Sequence, residues 1–288
     1  MSLALKGIDV SHYQGLIDWA KVKATGYKFA LIKATYGWDN DKQVDPKFKT
    51  NVAGCEAAGI DYGLYHYSYA MTPEDAIKEA KFFLKHIAGL KPAMPVAFDF
   101  EEVDQIGGTK YVDGKAVKVA GLPLETQLQI IEAFMSVLEK AGYFGMIYMS
   151  TYYLQKLYNY APARVAKFAA WIAQYASACT YIGKVGIWQH GVIGSYGVKG
   201  KDYTIDGAVP GVSANCDVNE CYVDYPAIIK QAGLNGWAKT DEPNDADTEF
   251  DYQALYEAEK VAHDILKADF VAYKAGIRAE LTAMLESY

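Results

Sequence analysis

The sequence predicts an α/β protein: an irregular, TIM-like β/α barrel of about eight strands, with helices missing from its second half, followed by a C-terminal helical tail. Three observations carry this. The segments "ATGYKFALIKAT" from Ala24, "AAGIDYGLYHYS" from Ala57 and "KAGYFGMIYMST" from Lys140 share one plan: a helix end, a glycine at the C-cap, then an apolar β-rich strand. Strands and helices alternate through the first half, which is the pattern of a parallel sheet. With 288 residues, 51% of them apolar, the chain can bury a large core.

Taken in order, strands are predicted at 6–10, 29–35, 63–69, 95–101 and 146–150. Two later apolar runs, "FAAWIAQY" (168–175) and "VGIWQH" (185–190), leave little room for a full helix between them. Helices are predicted at 17–24, at 46–58 with Asp45 as N-cap, at 73–86 with Thr72 as N-cap and Pro73 at the first position, and at 124–141. Two polar excursions interrupt the pattern. One follows Glu102 and holds Asp113-Gly114, a hairpin turn between β-prone flanks; the other, "GSYGVKGKDYTIDGAVPG", precedes Asp217. Both are expected on the face that carries the site, as groove walls or as tolerated insertions.

Charge excludes some partners. The formal net charge is −7, and the 5 basic and 12 acidic residues from Lys239 onward account for all of it, so the main body is neutral. No basic stripe recommends nucleic acid or an anionic membrane surface, and no stretch is long enough to span a bilayer. The N-terminus "MSLALKGIDVSHYQG" lacks the charged and apolar regions of a signal peptide, which predicts a protein made and held in the cytoplasm. Cys55, Cys179, Cys216 and Cys221 lack zinc-like spacing and read as free thiols, with a Cys216–Cys221 bridge as the minor alternative. The five histidines do not cluster, so neither metal nor cofactor is expected.

The chemistry points to "PVAFDFEE", residues 95–102. On a strand, Asp99 and Glu101 face one way and Phe98, Phe100 and Glu102 the other. Two carboxyls sharing one space resist joint ionisation, which keeps one of them protonated near neutral pH. A solvated strand end is the bland alternative. Chemistry in β/α barrels sits at the C-terminal strand ends. Asp9 ends the first strand in "KGIDVS", and Asp217 lies in "NCDVNE" near the end of the expected last one, so four carboxylates from three segments converge on one mouth.

In order and spacing, "GIDVSHYQGLIDW", "FALIKATYG", "GLYHYSYA", "VAFDFEE", "IYMSTYY", "AAWIAQY", "GIWQH" and "DVNE" resemble the glycoside hydrolase family 25 lysozymes over roughly residues 6–222. The resemblance implies cleavage of the β-1,4 bond between N-acetylmuramic acid and N-acetylglucosamine in bacterial peptidoglycan. It implies Glu101 as general acid, Asp99 orienting or stabilising the reacting centre, and Asp9 and Asp217 as the flanking aspartates. Substrate-assisted retention is favoured, with direct carboxylate attack and inversion left open. Tyr65, Tyr148, Trp171 and Gln189 match the family's sugar-binding positions; Tyr36, Tyr67 and Trp38 are further candidates, and His12 and His66 read as structural. A phage endolysin, released through a holin-like pore, fits this resemblance. His190 stands where many relatives carry Tyr, and the C-terminus shows no recognisable wall-binding repeat. A non-catalytic glycan-binding barrel and a chitinase-like glycosidase are the alternatives; Ala97 breaks the chitinase acid pattern.

The expected organisation is a catalytic barrel at 1–236, an acidic linker at 237–250 and a helical segment at 251–288. In the last, Leu255, Ala258, Ala262 and Ile265 begin an apolar stripe. Self-association ranks just ahead of docking on the body or on a partner as the means of burying it.

Overall fold

The structure, a computed structural model, describes residues 4–38, 40–101, 109–112, 115–118, 122–194, 204–205 and 207–239. The linker and helical segment expected beyond residue 239, and most of the two polar excursions, lie outside the described residues.

The strands are β1 Leu5–Val10, β2 Phe29–Tyr36, β3 Asp61–Tyr67, β4 Val96–Asp99, β5 Thr109–Val112, β6 Lys115–Lys118, β7 Gly145–Ser150, β8 Ala169–Ala173, β9 Ile187–Ile193, β10 Thr204–Ile205 and β11 Cys216–Cys221. The helices are α1 Trp19–Ala24, α2 Phe48–Ala58, α3 Pro73–Ile87, α4 Leu124–Lys140, α5 Thr151–Tyr160, α6 Pro162–Val165 and α7 Tyr225–Ala232. Eight strands close a barrel in the order β9-β11-β1-β2-β3-β4-β7-β8, with β8 pairing back onto β9 and β10 lying beside β9. An antiparallel β5–β6 pair flanks residues 113–114, where a hairpin turn was expected.

Local chemistry explains most of the elements. Thr72 caps α3 by accepting the Asp75 N–H at 3.2 Å, with Pro73 at the first position. Gly59 ends α2 in the left-handed conformation, φ 65°, which a glycine adopts without strain. Asp45 does not cap α2. The helix begins at Phe48, and the Asp45 carboxylate instead accepts the backbone N–H groups of Lys47 (2.8 Å) and His12 (2.9 Å), tying the β1 loop to the β2 loop.

Three findings depart from the sequence reading. The sheet is not wholly parallel: β11 runs antiparallel to both β1 and β9. Asp217 therefore lies near the start of its strand, and only the reversal of β11 brings that start to the barrel end where the parallel strands finish. Helix α5 follows β7 where none was predicted, held by its buried Leu154 and Leu157, one turn apart. The strand expected at 95–101 ends at Asp99, leaving Glu101 on the loop.

The core has two layers. Outside the barrel, Ile8, Ile32, Leu64, Phe98, Phe100 and Phe134 are among the residues packed between sheet and helices. Inside it, Phe29, Leu31, Ala97, Met146 and Ile187 fill the lower part, and Tyr65, Tyr148 and Trp171 belong to the same cluster. All four cysteines are free; Cys216 and Cys221 are five residues apart on one strand, which sends them to opposite faces. No described helix is long and apolar enough to cross a membrane.

Candidate active site

Register decides what the barrel mouth contains. Tyr67 pairs with Asp99, Asp99 with Tyr148, and Tyr148 with Trp171, so these four form one lateral row across β3, β4, β7 and β8. Alternation turns Phe98 to the other side, where its ring stacks on Phe134 at 4.0 Å. Asp9 and Asp217 are direct cross-strand partners on β1 and β11, which sets two carboxyls side by side.

A pocket of about 290 Å³ opens over this row. All four predicted acids, Asp9, Asp99, Glu101 and Asp217, line it. So do Tyr65, Tyr67, Tyr148, Trp171 and Gln189. Tyr36 is not among the lining residues; it closes β2 opposite Tyr67, its hydroxyl donates to the Lys42 carbonyl at 3.2 Å and its ring meets Tyr69 edge-on at 5.9 Å. Trp38 also lies off the pocket, under the Lys78 ammonium at 5.3 Å.

Lys33, Tyr175, Tyr13 and Gln14 line the pocket and were not singled out from sequence. Lys33 was detectable in principle, as a charged residue sharing strand parity with buried Phe29 and Leu31. Its Nζ sits 4.5 Å from the Tyr67 ring centroid and 5.5 Å from that of Tyr36, in the geometry of a cation over an aromatic face. A register shift between Lys33 and Thr35 breaks the alternation just past it.

Burial is the leading electrostatic fact. Asp9 and Asp99 are 7% and 4% exposed. Both carboxyls are pushed well above the usual carboxylate range, first by loss of solvent; Asp217 then adds to the shift of Asp9, and Glu101 to that of Asp99. Lys33 pulls Asp99 back toward the charged form. Asp217 is also raised by burial, against a hydrogen bond donated by the Tyr175 hydroxyl at 3.0 Å. Lys33 in turn is lowered by burial while Asp99, Asp45 and Glu101 oppose that shift.

Asp9, Asp99 and Asp217 are thus all raised by burial, so the acids around Glu101 are ones whose charged form is disfavoured. Glu101 stands close enough to Asp99 to raise its carboxyl, because two adjacent carboxyls resist joint ionisation. Asp99 Oδ1 is buried and has no hydrogen-bond partner among the described residues. No group of three or more described His, Cys, Asp or Glu residues is arranged to hold a metal ion.

His66 is buried between the barrel and its helices, and His12 pairs with Asp45 at 2.9 Å. The His190 ring lies tilted against that of Trp188, centroids 5.4 Å apart, and His190 occupies the register shift between β9 and β11.

A carboxyl-lined, aromatic-walled pocket at the mouth of a β/α barrel defines a class: barrels equipped for acid–base chemistry on a polar, ring-shaped substrate. Comparison with known proteins narrows the class. Residues 8–197 match the profile of glycosyl hydrolases family 25, two thirds of the chain, and the chain belongs to that family. It is similar to the autolytic lysozyme of Clostridium acetobutylicum, 27% identical over 221 residues covering 75% of this chain and 55% of that protein. Over a shorter stretch of 64 residues it is 48% identical to lysozyme M1 of Streptomyces globisporus, covering 22% of this chain and 21% of that one. In fold it resembles the bacterial lysozyme of Streptomyces coelicolor, with a TM-score of 0.59 and 24% identity over 83% of this chain and 100% of that one. The chain spans about half the length of the Clostridium relative.

Proposed function

We propose that this chain is a peptidoglycan-degrading lysozyme, an N-acetylmuramidase that hydrolyses the β-1,4 bond between N-acetylmuramic acid and N-acetylglucosamine in bacterial glycan strands. The observation that carries the proposal is the convergence of Asp9, Asp99, Glu101 and Asp217 on one aromatic-walled pocket, within a chain of family 25. The curated relatives named as lysozymes support the substrate class.

In this reading Glu101, half-buried on the loop after β4, is the general acid that protonates the leaving glycosidic oxygen. The positive charge that develops on the sugar ring is met by the carboxyl cluster, whose ionised form that charge favours. Asp99 Oδ1 is suited to accept the N–H of the substrate's 2-acetamido group and steady that group for attack on the anomeric carbon. Tyr65, Tyr67, Tyr148 and Trp171 supply aromatic walls for sugar faces.

The test is mass spectrometry of the reducing ends released from purified peptidoglycan by the wild type and by Glu101→Gln. New muramic acid ends from the wild type, with turnover reduced about 10²- to 10⁴-fold in a folded variant, are expected. Glucosamine ends, or equal turnover by both proteins, would overturn the assignment. An endolysin setting, with release through a holin-like pore, belongs to the same proposal. It is checked by expressing the chain in bacteria with and without a holin, where lysis without the pore counts against it.

A further inference from the structure

We propose that Asn219 and Gln189 form an amide clamp that orients the Asp9 carboxyl and favours its charged form against the burial that opposes it, making both of them positioning residues for the reaction. The inference rests on the glycosidase reading above and adds to it the means by which the Asp9 carboxyl is placed.

The direction of every hydrogen bond in the clamp is fixed by one group. The Trp171 indole N–H can only donate, so the atom of Asn219 that faces it at 2.8 Å is the amide oxygen. The amide nitrogen of Asn219 is thereby turned to Asp9 Oδ2, at 2.8 Å. From the other side the Gln189 amide nitrogen donates to the same Oδ2 at 2.9 Å, while its amide oxygen accepts the Tyr148 hydroxyl at 2.9 Å. Two N–H groups thus converge on a single carboxylate oxygen, and each amide is held at its far end by a further donor. Flipping either amide loses two hydrogen bonds at once inside the core. Asn219, Trp171, Gln189 and Tyr148 are 1%, 1%, 3% and 7% exposed, so water does not compete for these bonds.

The backbone is built for this contact. Along β11 and β9, Val218 pairs with Gly191 but Asn219 pairs with Gln189, so His190 is an extra residue at a bulge. Without it the strand phase would slip by one, and one of the two amides would turn out of the barrel. Both ends of the Gln189 amide are engaged by protein groups, which gives it a task beyond the sugar contact expected from the sequence.

Converging donors favour the charged form of an acid. They act here against desolvation and against the neighbouring groups: Asp217 and Cys216 from β11, Asp99 from β4 with Glu101 beyond it, Tyr65 from β3, Tyr148 from β7, and Tyr175 after β8. Lys33, from β2, is engaged with Asp99, Asp45 and Glu101. The two amides offset part of the rise that burial imposes, and the Asp9 carboxyl still lies well above the usual carboxylate range.

The test is a ¹³C NMR titration of the protein labelled at aspartate carboxyls, with Asp9 assigned by its loss in Asp9→Asn. Asn219→Leu removes one donor, and Trp171→Phe removes the N–H that orients Asn219 while keeping a ring in place. The Asp9 midpoint is expected to rise by about one pH unit in Asn219→Leu and by less in Trp171→Phe. In Asn219→Leu the acid limb of kcat/KM should move up with it, with kcat falling and KM unchanged. An Asp9 midpoint equal to or below that of the wild type in a folded variant overturns the clamp; if Asn219→Leu does not fold, Trp171→Phe decides. A midpoint that rises in a protein whose wild type releases no muramic acid ends would instead overturn the glycosidase reading and leave the clamp standing.

Discussion

Two buried polar clusters lie on opposite faces of the same strands, and they put carboxyl groups to different uses. Between the barrel and α3, Glu79 is 0% exposed and both of its oxygens are satisfied: Ser68 Oγ donates to one and the Tyr69 N–H to the other, each at 2.6 Å. His66 Nε2 stands 3.4 Å from Glu79 Oε2, within ion-pair range but outside hydrogen-bond geometry, and its Nδ1 is 2.7 Å from Thr35 Oγ1. Aromatic rings of Phe83 and Phe134 close over His66. Inside the barrel, Asp99 is nearly as buried, yet one oxygen has no partner among the described residues and the other group at hand is a second carboxyl. A carboxylate with internal partners holds the fold together. One crowded by acids beside a pocket stores an unmet demand for a proton or a donor, which a substrate can meet.

The contrast can be broken most directly at Asp99. Asp99→Asn is expected to lower kcat about 10²- to 10⁴-fold while raising stability. The sign follows from linkage. The folded pKa of Asp99 lies above its unfolded value, so its contribution to stability is fully present below the unfolded pKa and is lost as pH rises through the folded one. Asparagine does not titrate, so the variant should match the wild type at low pH and gain about 2–4 °C in Tm at neutral pH, roughly 1 kcal/mol for a barrel of this size. Thermal unfolding at several pH values measures this, and a lower Tm at pH 7 would place Asp99 with Glu79 as a structural group.

Glu79→Leu should behave in the opposite sense. It leaves the Ser68 hydroxyl and the Tyr69 N–H without their acceptor in the core, at a cost of about 2–4 kcal/mol. Denaturant unfolding reads the loss, and turnover per folded molecule should change less than tenfold. A variant of wild-type stability with abolished turnover would erase the distinction between the clusters.

The smallest expected effect sharpens the comparison within the pocket. Lys33→Met keeps the apolar stem and removes the charge that pulls Asp99 toward ionisation. The Asp99 midpoint should rise, moving the acid limb of the kcat/KM profile upward by about half a pH unit. An unmoved limb would mean that the Tyr67 and Tyr36 rings, rather than the carboxyl cluster, account for the position of the ammonium.

Much of this was legible in the chain. The glycine after each helix, the Thr72-Pro73 cap and the period-two pattern of "VAFDFEE" are local, and local rules read them: alternation alone set Phe98 and Asp99 on opposite faces of their strand. Tyr36 shows where that reasoning ends, because the register shift between Lys33 and Thr35 resets the alternation before it. Glu79 shows it again, since an acid among Ala76, Ala80 and Phe83 on the buried face of α3 has no meaning until Ser68 and Tyr69 are known to lie beneath it.

By itself, then, the sequence determined the strand–helix alternation, the strand parity of Asp9 and Asp99 and the family's ordered motifs, because each depends on neighbours a few residues away. Only the tertiary structure decided that β11 runs backward to place Asp217 opposite Asp9, that a bulge at His190 sets Asn219 against Gln189, and that Lys33 enters the carboxyl cluster. Those are contacts between segments up to about two hundred residues apart, fixed by strand register and barrel closure, which no local pattern encodes.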